Sequence, residues 1–119
     1  MGMHDITAAV ADTVAKSGVK SGLCHVSMLH STAGLLVCPK DPDALGDIMG
    51  DVERMGPTRG DFKHRETASD AGGHVKTAFA GSQLSFAVVD GRLLLGEEQA
   101  IVFAEFDGPR PRSFTVGVL

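Results

Sequence analysis

The N-terminal part of the chain carries a helical pattern of apolar residues. Three of them are spaced four positions apart, Ile6, Val10 and Val14. Asp5 or Thr7 can cap the first turn of such a helix, and Gly18 lies just beyond its last periodic residue. The pattern predicts a first helix that ends at Gly18.

Two apolar runs, Leu23–Leu29 and Leu35–Cys38, predict strands joined by a tight corner at His30–Gly34. Pro39–Asp43 interrupts the second strand and supplies acidic residues, which suit the N-terminus of a helix. That second helix is marked by apolar positions at i, i+3, i+4 and i+7, namely Leu45, Ile48, Met49 and Val52.

The segment from Gly56 to Gly73 has little apolar content and no period. A loop of that length inside a small domain is usually functional or disordered, and its His64 and Asp70 favour function. A short third helix is predicted from His74 to Ala80, with Gly81 closing it.

The rest of the chain has strand patterns. Leu84, Phe86 and Val88 lie at alternating positions, and Asp90-Gly91 is a strong two-residue hairpin turn. Further short strands are predicted at Leu93–Leu95, Ala100–Phe106 and Phe114–Val118. Early helices and a late strand meander give a single α+β domain over residues 1–119, with mostly antiparallel sheet or sandwich, two main helices and a short third one.

Charge and composition exclude several classes of protein. The 11 basic and 15 acidic residues leave a net charge of −4, which argues against a nucleic-acid binder. No apolar stretch approaches the roughly 20 residues that span a bilayer. The polar start of the chain lacks a secretory apolar region, so Cys24 and Cys38 are interpreted as reduced, buried thiols of a cytoplasmic protein.

Three of the five histidines lie where polar side chains can converge on a cleft. His30 ends a strand, His64 is in the long loop, and His74 follows Gly72-Gly73 at a predicted helix start. Three imidazoles would suit zinc or a similar divalent metal. Their spacing is not a compact motif, so three ordinary surface or half-buried histidines remain the alternative.

Anion binding is a second theme. Gly72 and Gly73 before a helix would expose unpaired N–H groups, which together with the helix dipole attract phosphate. Additional donors are offered by Ser31, Thr32, Lys76 and Arg110. The alternative is a tight glycine turn with solvated surface charges.

The other candidate acids and nucleophiles give weaker indications of function. Glu97 and Glu98 would point to opposite faces of a strand and cannot form a carboxylate pair. Asp107 is a further candidate acid near a strand end. Cys38 has no activating neighbour in the sequence, so a packed thiol is expected.

Several segments, in this order, resemble the YjbQ-like family, whose members are often labelled secondary thiamine-phosphate synthases. The similar segments are His30-Ser31-Thr32-Ala33-Gly34-Leu35, Lys63-His64-Arg65-Glu66, Gly73-His74-Val75-Lys76, Asp90-Gly91-Arg92-Leu93, Leu95-Gly96, Gln99 and Glu105-Phe106-Asp107-Gly108-Pro109-Arg110. The resemblance covers nearly the whole chain.

The resemblance implies a compact α+β fold, a homotrimer, and a metal or anion site at His30, His64 and His74, with zinc or magnesium as the metal. The implied reaction joins a pyrimidine diphosphate to a thiazole phosphate and releases pyrophosphate, although the true substrate can be another small phosphorylated metabolite. His74, the Gly72-Gly73 amides, Lys76 and Arg110 would stabilise the departing group.

The chain also departs from the family pattern. Cys38 and Pro39 stand where the family carries Asn-Glu, and Glu97-Glu98 stand where it carries Thr-Trp. The strand that precedes the first helix in the family is expected to be absent. A phosphometabolite enzyme is therefore the leading hypothesis, and a divergent, non-catalytic metal- or anion-binding module is the alternative. A third hypothesis is an interaction protein whose histidines only pack.

Overall fold

A computed structural model describes residues 2–56, 62–64 and 70–119. In chain order its elements are β1 (Gly2–Asp5), α1 (Thr7–Ser17), β2 (Ser21–Met28), β3 (Ala33–Pro39), α2 (Pro42–Met55), α3 (Asp70–Ala80), β4 (Gln83–Val89), β5 (Arg92–Leu93), β6 (Gln99–Glu105) and β7 (Phe114–Val118). The predicted α+β class is confirmed. None of the helices in this described part combines the length and apolar character that a bilayer crossing needs.

The strands form two antiparallel sheets. One has the order β1-β6-β3 and the other the order β5-β4-β2-β7. Both sheets and α1 contribute to one core, whose buried members are Val10, Val14, Cys24, Val26, Met28, Ala33, Leu35, Val88 and Ile101. Period-two alternation along each strand turns these residues to the same side.

Strand β6 is apolar on both faces because it lies between two layers. Ile101 belongs to the main core, whereas Ala100 and Val102 pack with Leu45 and Ile48 of α2. The predicted apolar face of α2 therefore covers the outer side of the three-stranded sheet. No residue of α2 is fully buried, so this cover is incomplete.

Local chemistry accounts for both ends of α1 and for one hairpin. The N-cap residue is Ile6, which makes no side-chain capping bond, in place of the predicted Asp5 or Thr7. Asp5 Oδ1 accepts hydrogen bonds from the Thr7 amide (2.9 Å) and hydroxyl (2.6 Å) at the start of α1. At the other end, Gly18 has a φ of 76° in the left-handed region. In the β4–β5 hairpin, Asp90 and Gly91 both have positive φ, 53° and 76°, as this type of two-residue turn requires.

Two glycine substitutions are expected to change stability in opposite directions. Gly18→Ala places a Cβ in the left-handed region and should cost about 1–2 kcal/mol. Gly46→Ala lies inside α2, where an added Cβ meets nothing within 4 Å, and should stabilise by about 0.5–1 kcal/mol. Urea unfolding of both variants measures this. Equal signs would contradict the assignment of Gly18 as the helix terminator.

The expected absence of a strand before α1 is wrong. β1 pairs with β6 in the register Met3↔Ala104 and His4↔Phe103, and the His4 and Phe103 rings stack with centroids 5.2 Å apart. Its four residues show no apolar alternation. The strand forms because the edge of β6 provides backbone partners for pairing. Its own residue pattern cannot predict such a partner.

The predicted late meander is also wrong. β5 pairs with β4, but β6 leaves that sheet and inserts between β1 and β3. Glu97 and Glu98 are not in a strand; they form an exposed turn before β6, in which the Gly96 amide donates to the Gln99 side chain (2.8 Å). Alternation alone identifies strands and leaves their partners undetermined.

Candidate functional site

Helix α3 begins at Asp70, one turn earlier than predicted. Asp70 and His74 are consequently four residues apart on one helix and share a face. Asp70 is 4% exposed and its Oδ1 accepts from the Ala71 amide (2.8 Å). A carboxylate in the first turn is favoured by the helix dipole. The sequence already held this i, i+4 pair, but a helix start placed at His74 concealed it.

His64 joins this pair. Its Nε2 lies 2.9 Å from Asp70 Oδ2, and its ring meets the His74 ring edge-on with centroids 5.0 Å apart. One ligand atom each from His64, Asp70 and His74 lies within 4.8 Å of the other two. Two ligands of a tetrahedral zinc ion, each at about 2.0–2.1 Å, are themselves about 3.3 Å apart. Small side-chain adjustments would bring the three to that spacing.

A hydrogen bond to the backbone fixes the orientation of the His74 ring. Its Nδ1 lies 3.1 Å from the carbonyl oxygen of Ser31. A carbonyl only accepts, so Nδ1 carries the proton and donates, and Nε2 keeps its lone pair. Metal-binding histidines are commonly held in this way by a backbone carbonyl.

The three donors fit some divalent metals better than others. Two imidazoles and one carboxylate match the sets that zinc takes in sites with an open fourth position. Magnesium takes mostly oxygen ligands and keeps several waters, so this mixed set suits it poorly.

His30 lies at the same cleft without belonging to this group. Among the described residues, the clustered ligand atoms come from His64, Asp70 and His74. The Ser113 N–H donates to His30 Nε2 at 2.9 Å, so a neutral His30 carries its proton on Nδ1 and is a donor there. His30 and His74 nevertheless line one cavity. The cluster that could hold a metal, within the residues that the structure describes, therefore includes His64 and His74 of the predicted three, with Asp70 as its third member.

That cavity has a volume of about 310 Å³. It is polar, and it is lined by Leu29, His30, Ser31, Thr32, Asp70, His74, Asp107, Arg110 and Arg112. The predicted donors Ser31, Thr32 and Arg110 are therefore all present. A more apolar groove adjoins it and shares Leu29, His30, Ser31 and His74.

Two ion pairs organise one wall, and the one between Arg112 and Glu105 is buried on both sides. Arg110 Nη2 lies 3.2 Å from Asp107 Oδ2, and Arg112 binds Glu105 with its Nε 2.8 Å from Oε1. Burial alone would raise the pKa of Glu105, but hydrogen bonds from Arg112 and from the Asp107 amide outweigh it and hold that pKa below its ordinary value. Glu105 is therefore ionised at neutral pH. Neither Arg112 nor Glu105 was predicted as a site residue.

The predicted position of Gly72 and Gly73 before a helix is wrong. Gly72 and Gly73 lie inside α3, both buried, and neither lines the cavity. Gly73 instead permits close packing, since an added Cβ would lie 3.2 Å from the Phe106 carbonyl oxygen and 3.3 Å from Thr32 Cγ2. The close packing of Gly73 therefore requires the absence of a side chain.

Lys76 is also placed elsewhere. It is 4% exposed, and its Nζ lies 3.2 Å from Glu53 Oε2 of α2. It joins two helices and does not line the cavity. Arg65 and Glu66 of the family-like segment fall outside the described residues.

Both departures from the family pattern lie together, far from the cavity. Pro39 pairs with Gln99, and the Lys40 amide donates to the Glu98 carbonyl oxygen (3.0 Å). β3 runs from Ala33, beside the cavity, to Pro39, a distance of about 20 Å for six residues. In the described part of the chain, none of these changed residues lines the cavity.

The cysteines are buried free thiols, as expected. Burial raises the pKa of the Cys24 thiol and of the Cys38 thiol. A raised pKa lowers the thiolate fraction, so neither residue has the character of a nucleophile.

Comparison with known proteins agrees with this fold. The family model described as UPF0047 protein YjbQ-like matches residues 1–119. A UPF0047 protein of Methanocaldococcus jannaschii is 37% identical over 116 residues, covering 97% of this chain and 83% of the relative. YugU of Bacillus subtilis, also a UPF0047 protein, is 33% identical over 112 residues, covering 93% of this chain and 84% of the relative.

Solved structures give the same result. A YbjQ-like protein of unknown function from Sulfolobus solfataricus superposes with a TM-score of 0.93 at 32% identity, over 98% of this chain and 86% of the other. A yjbq/upf0047 family protein from Clostridium acetobutylicum superposes with a TM-score of 0.92 at 37% identity, over 99% and 91%. The chain therefore belongs to the UPF0047 YjbQ-like family.

Proposed function

We propose that this protein binds a zinc-class divalent metal through His64, Asp70 and His74 and, beside it, a small phosphorylated metabolite. The observation that carries the proposal is the cluster of three side chains that could ligate a metal, two of which, Asp70 and His74, line a polar cavity of about 310 Å³. When bound, such an ion would act as a Lewis acid toward a phosphate oxygen.

The cavity residues have complementary roles toward an anion. Arg110 is 47% exposed on its side chain and can give a bidentate contact to phosphate. Thr32 Oγ1 accepts from Arg112 Nη2 (2.9 Å), which leaves the Thr32 hydroxyl hydrogen free to donate. Ser31 contributes a second hydroxyl, and His30 contributes its Nδ1–H.

The finer proposal is the reaction that the family resemblance implies. A pyrimidine diphosphate would lose pyrophosphate, which leaves with the electron pair of the broken C–O bond, while a new bond forms to the thiazole ring. Arg110, Ser31 and Thr32 would hold the developing charge of the departing group. The names of the four relatives described above state no such activity, so this step rests on the resemblance and on the donors.

A homotrimer is proposed on shape and on an uncovered surface. The chain extends 51 Å along its longest axis, and its radius of gyration is 15.4 Å. A domain of this length is expected near about 13.5 Å. The proposed contacts are large apolar side chains that the fold leaves exposed, among them Leu29, Met55 and Phe79. Sedimentation equilibrium would reject this proposal if it gave a monomer mass.

The test of function uses purified full-length protein, zinc-loaded or chelator-treated. Phosphate and pyrophosphate should bind the zinc-loaded form more tightly, measured by calorimetry. Pyrophosphate release from the pyrimidine diphosphate and thiazole phosphate pair then tests turnover. Binding without turnover of any phosphorylated substrate would favour the non-catalytic module. Absence of both zinc and phosphate binding would reject the proposal.

A further inference from the structure

A buried carboxylate lies at the end of β6, behind the cavity wall. Glu105 is 6% exposed. Its Oε1 and Oε2 lie 2.8 Å and 3.1 Å from Arg112 Nε, and Arg112 Nη2 also donates to it. A buried charge is costly unless it is paired and its oxygens accept hydrogen bonds. Glu105 meets both conditions.

The same carboxylate binds the backbone of the next loop. The amides of Asp107 and Arg110 donate to its oxygens, both at 3.3 Å. Gly108 allows this close approach, because a Cβ there would lie 2.3 Å from Glu105 Oε1. The loop that carries Asp107, Arg110 and Arg112 to the cavity is thus wrapped around one buried side chain.

Arg112 extends this anchor to the opposite wall. Its Nη2 donates to Thr32 Oγ1 (2.9 Å) and lies 3.3 Å from the Thr32 carbonyl oxygen. The Phe106 amide donates to the same carbonyl (3.0 Å). Glu105 and Arg112 therefore connect the β6–β7 loop to the turn that carries the cavity hydroxyls of Ser31 and Thr32.

The two arginines of the cavity differ in what they can still do. The Arg112 side chain is 7% exposed, with its Nε and Nη2 bonded to Glu105 and Thr32. The Arg110 side chain is 47% exposed, and its charged contact is with Asp107. Arg110 Nε also donates to the Asp107 carbonyl oxygen (2.9 Å). Of the two arginines, Arg110 can turn toward an incoming ligand by giving up its contacts with Asp107, while the side-chain contacts among Glu105, Arg112 and Thr32 stay in place.

We infer that Glu105 is a positioning residue for anion binding. It holds Arg112 in place, and Arg112 in turn connects the β6–β7 loop on one wall of the cavity to the turn with Ser31 and Thr32 on the other wall. Arg110 is then the arginine that contacts the anionic group. This inference rests on the proposed function, since it concerns the phosphate half of the same site.

The experiment measures inorganic phosphate affinity of the zinc-loaded protein by calorimetry, together with zinc affinity and melting temperature. Arg110→Gln should lower phosphate affinity about tenfold or more. It should lower the melting temperature by no more than Glu53→Gln does, because each change removes one ion-pair partner of a buried group. Glu105→Gln should lower both phosphate affinity and melting temperature, with zinc affinity retained at a temperature where the variant is folded.

A matched control separates positioning from general instability. Glu53→Gln makes the same chemical change and removes the partner of buried Lys76, away from the cavity. It should lower the melting temperature and leave phosphate affinity unchanged. If Glu105→Gln does not fold, Arg112→Lys decides, because a lysine keeps the charge but cannot reach Glu105 and Thr32 at once.

The outcomes distinguish the two proposals. Native protein that binds neither zinc nor phosphate overturns the proposed function and this inference with it. If the unmodified protein binds zinc and phosphate, and folded Glu105→Gln or Arg112→Lys binds phosphate equally tightly, the inference alone is overturned. A phosphate affinity that survives Arg110→Gln would likewise contradict the role given to Arg110.

Discussion

Asp70→Ala is expected to lower zinc affinity by more than about 100-fold, because changes beyond the ligands themselves already cost about 10–100-fold. Asp70 Oδ2 lies 2.9 Å from His64 Nε2, and Asp70 shares a helix face with His74. Asp70→Asn keeps one oxygen but loses the charge, and it should give an intermediate loss. Competition with a chelator of known affinity measures both variants.

The histidine variants separate this ligand set from the one predicted by sequence. His64→Ala and His74→Ala should lose zinc affinity as Asp70→Ala does, whereas His30→Ala should keep it and weaken phosphate binding. His25→Ala is the control, since His25 lies on β2 and contacts Ser85 instead (2.9 Å). Native zinc affinity in Asp70→Ala together with a large loss in His30→Ala would restore the three-histidine set.

Arg112→Leu is expected to destabilise the fold by about 3–5 kcal/mol, because it leaves Glu105 charged and buried without its partner. That is a large part of the roughly 5–15 kcal/mol that stabilises a typical domain. Urea unfolding at neutral pH measures it. The exposed Asp51–Arg54 pair supplies the control, and Arg54→Leu should change stability by less than about 1 kcal/mol.

The loss in Arg112→Leu should shrink as the solution is made acidic. In the native protein the folded-state pKa of Glu105 is depressed, so its contribution is present above the unfolded pKa and is lost as pH falls through the folded pKa. Without Arg112, burial would raise that pKa, and protonation would relieve the variant. A gap between the two proteins that stays constant with pH would contradict the assignment of this ion pair.

The double variant Glu105→Leu/Arg112→Leu gives a further check on the same pair. Removing both charges leaves no buried ion without a partner, so much of the stability lost in Arg112→Leu should return. A double variant as unstable as the single one would indicate that the loop depends on the backbone hydrogen bonds to Glu105 more than on the charge pair.

The sequence by itself determined the features that depend on neighbouring residues. The end of α1 at Gly18 and the Asp90-Gly91 turn follow from the backbone freedom of single residues. The apolar face of α2 follows from helical spacing, and the strand at Phe114–Val118 is observed as predicted. The resemblance of several segments, in a fixed order, identified the family, because that order is kept in this chain even where single positions differ.

Tertiary structure decided the partners. β1 exists through its pairing with β6. Lys76, which was predicted to bind a phosphate group of a ligand, pairs with the carboxylate of Glu53 instead. Asp70 is a candidate ligand because the fold places His64 beside it. Arg112 connects the two cavity walls because Glu105 and Thr32 lie on either side of it. A buried charge has its energy set by whatever surrounds it, and those surroundings come from segments distant in the chain.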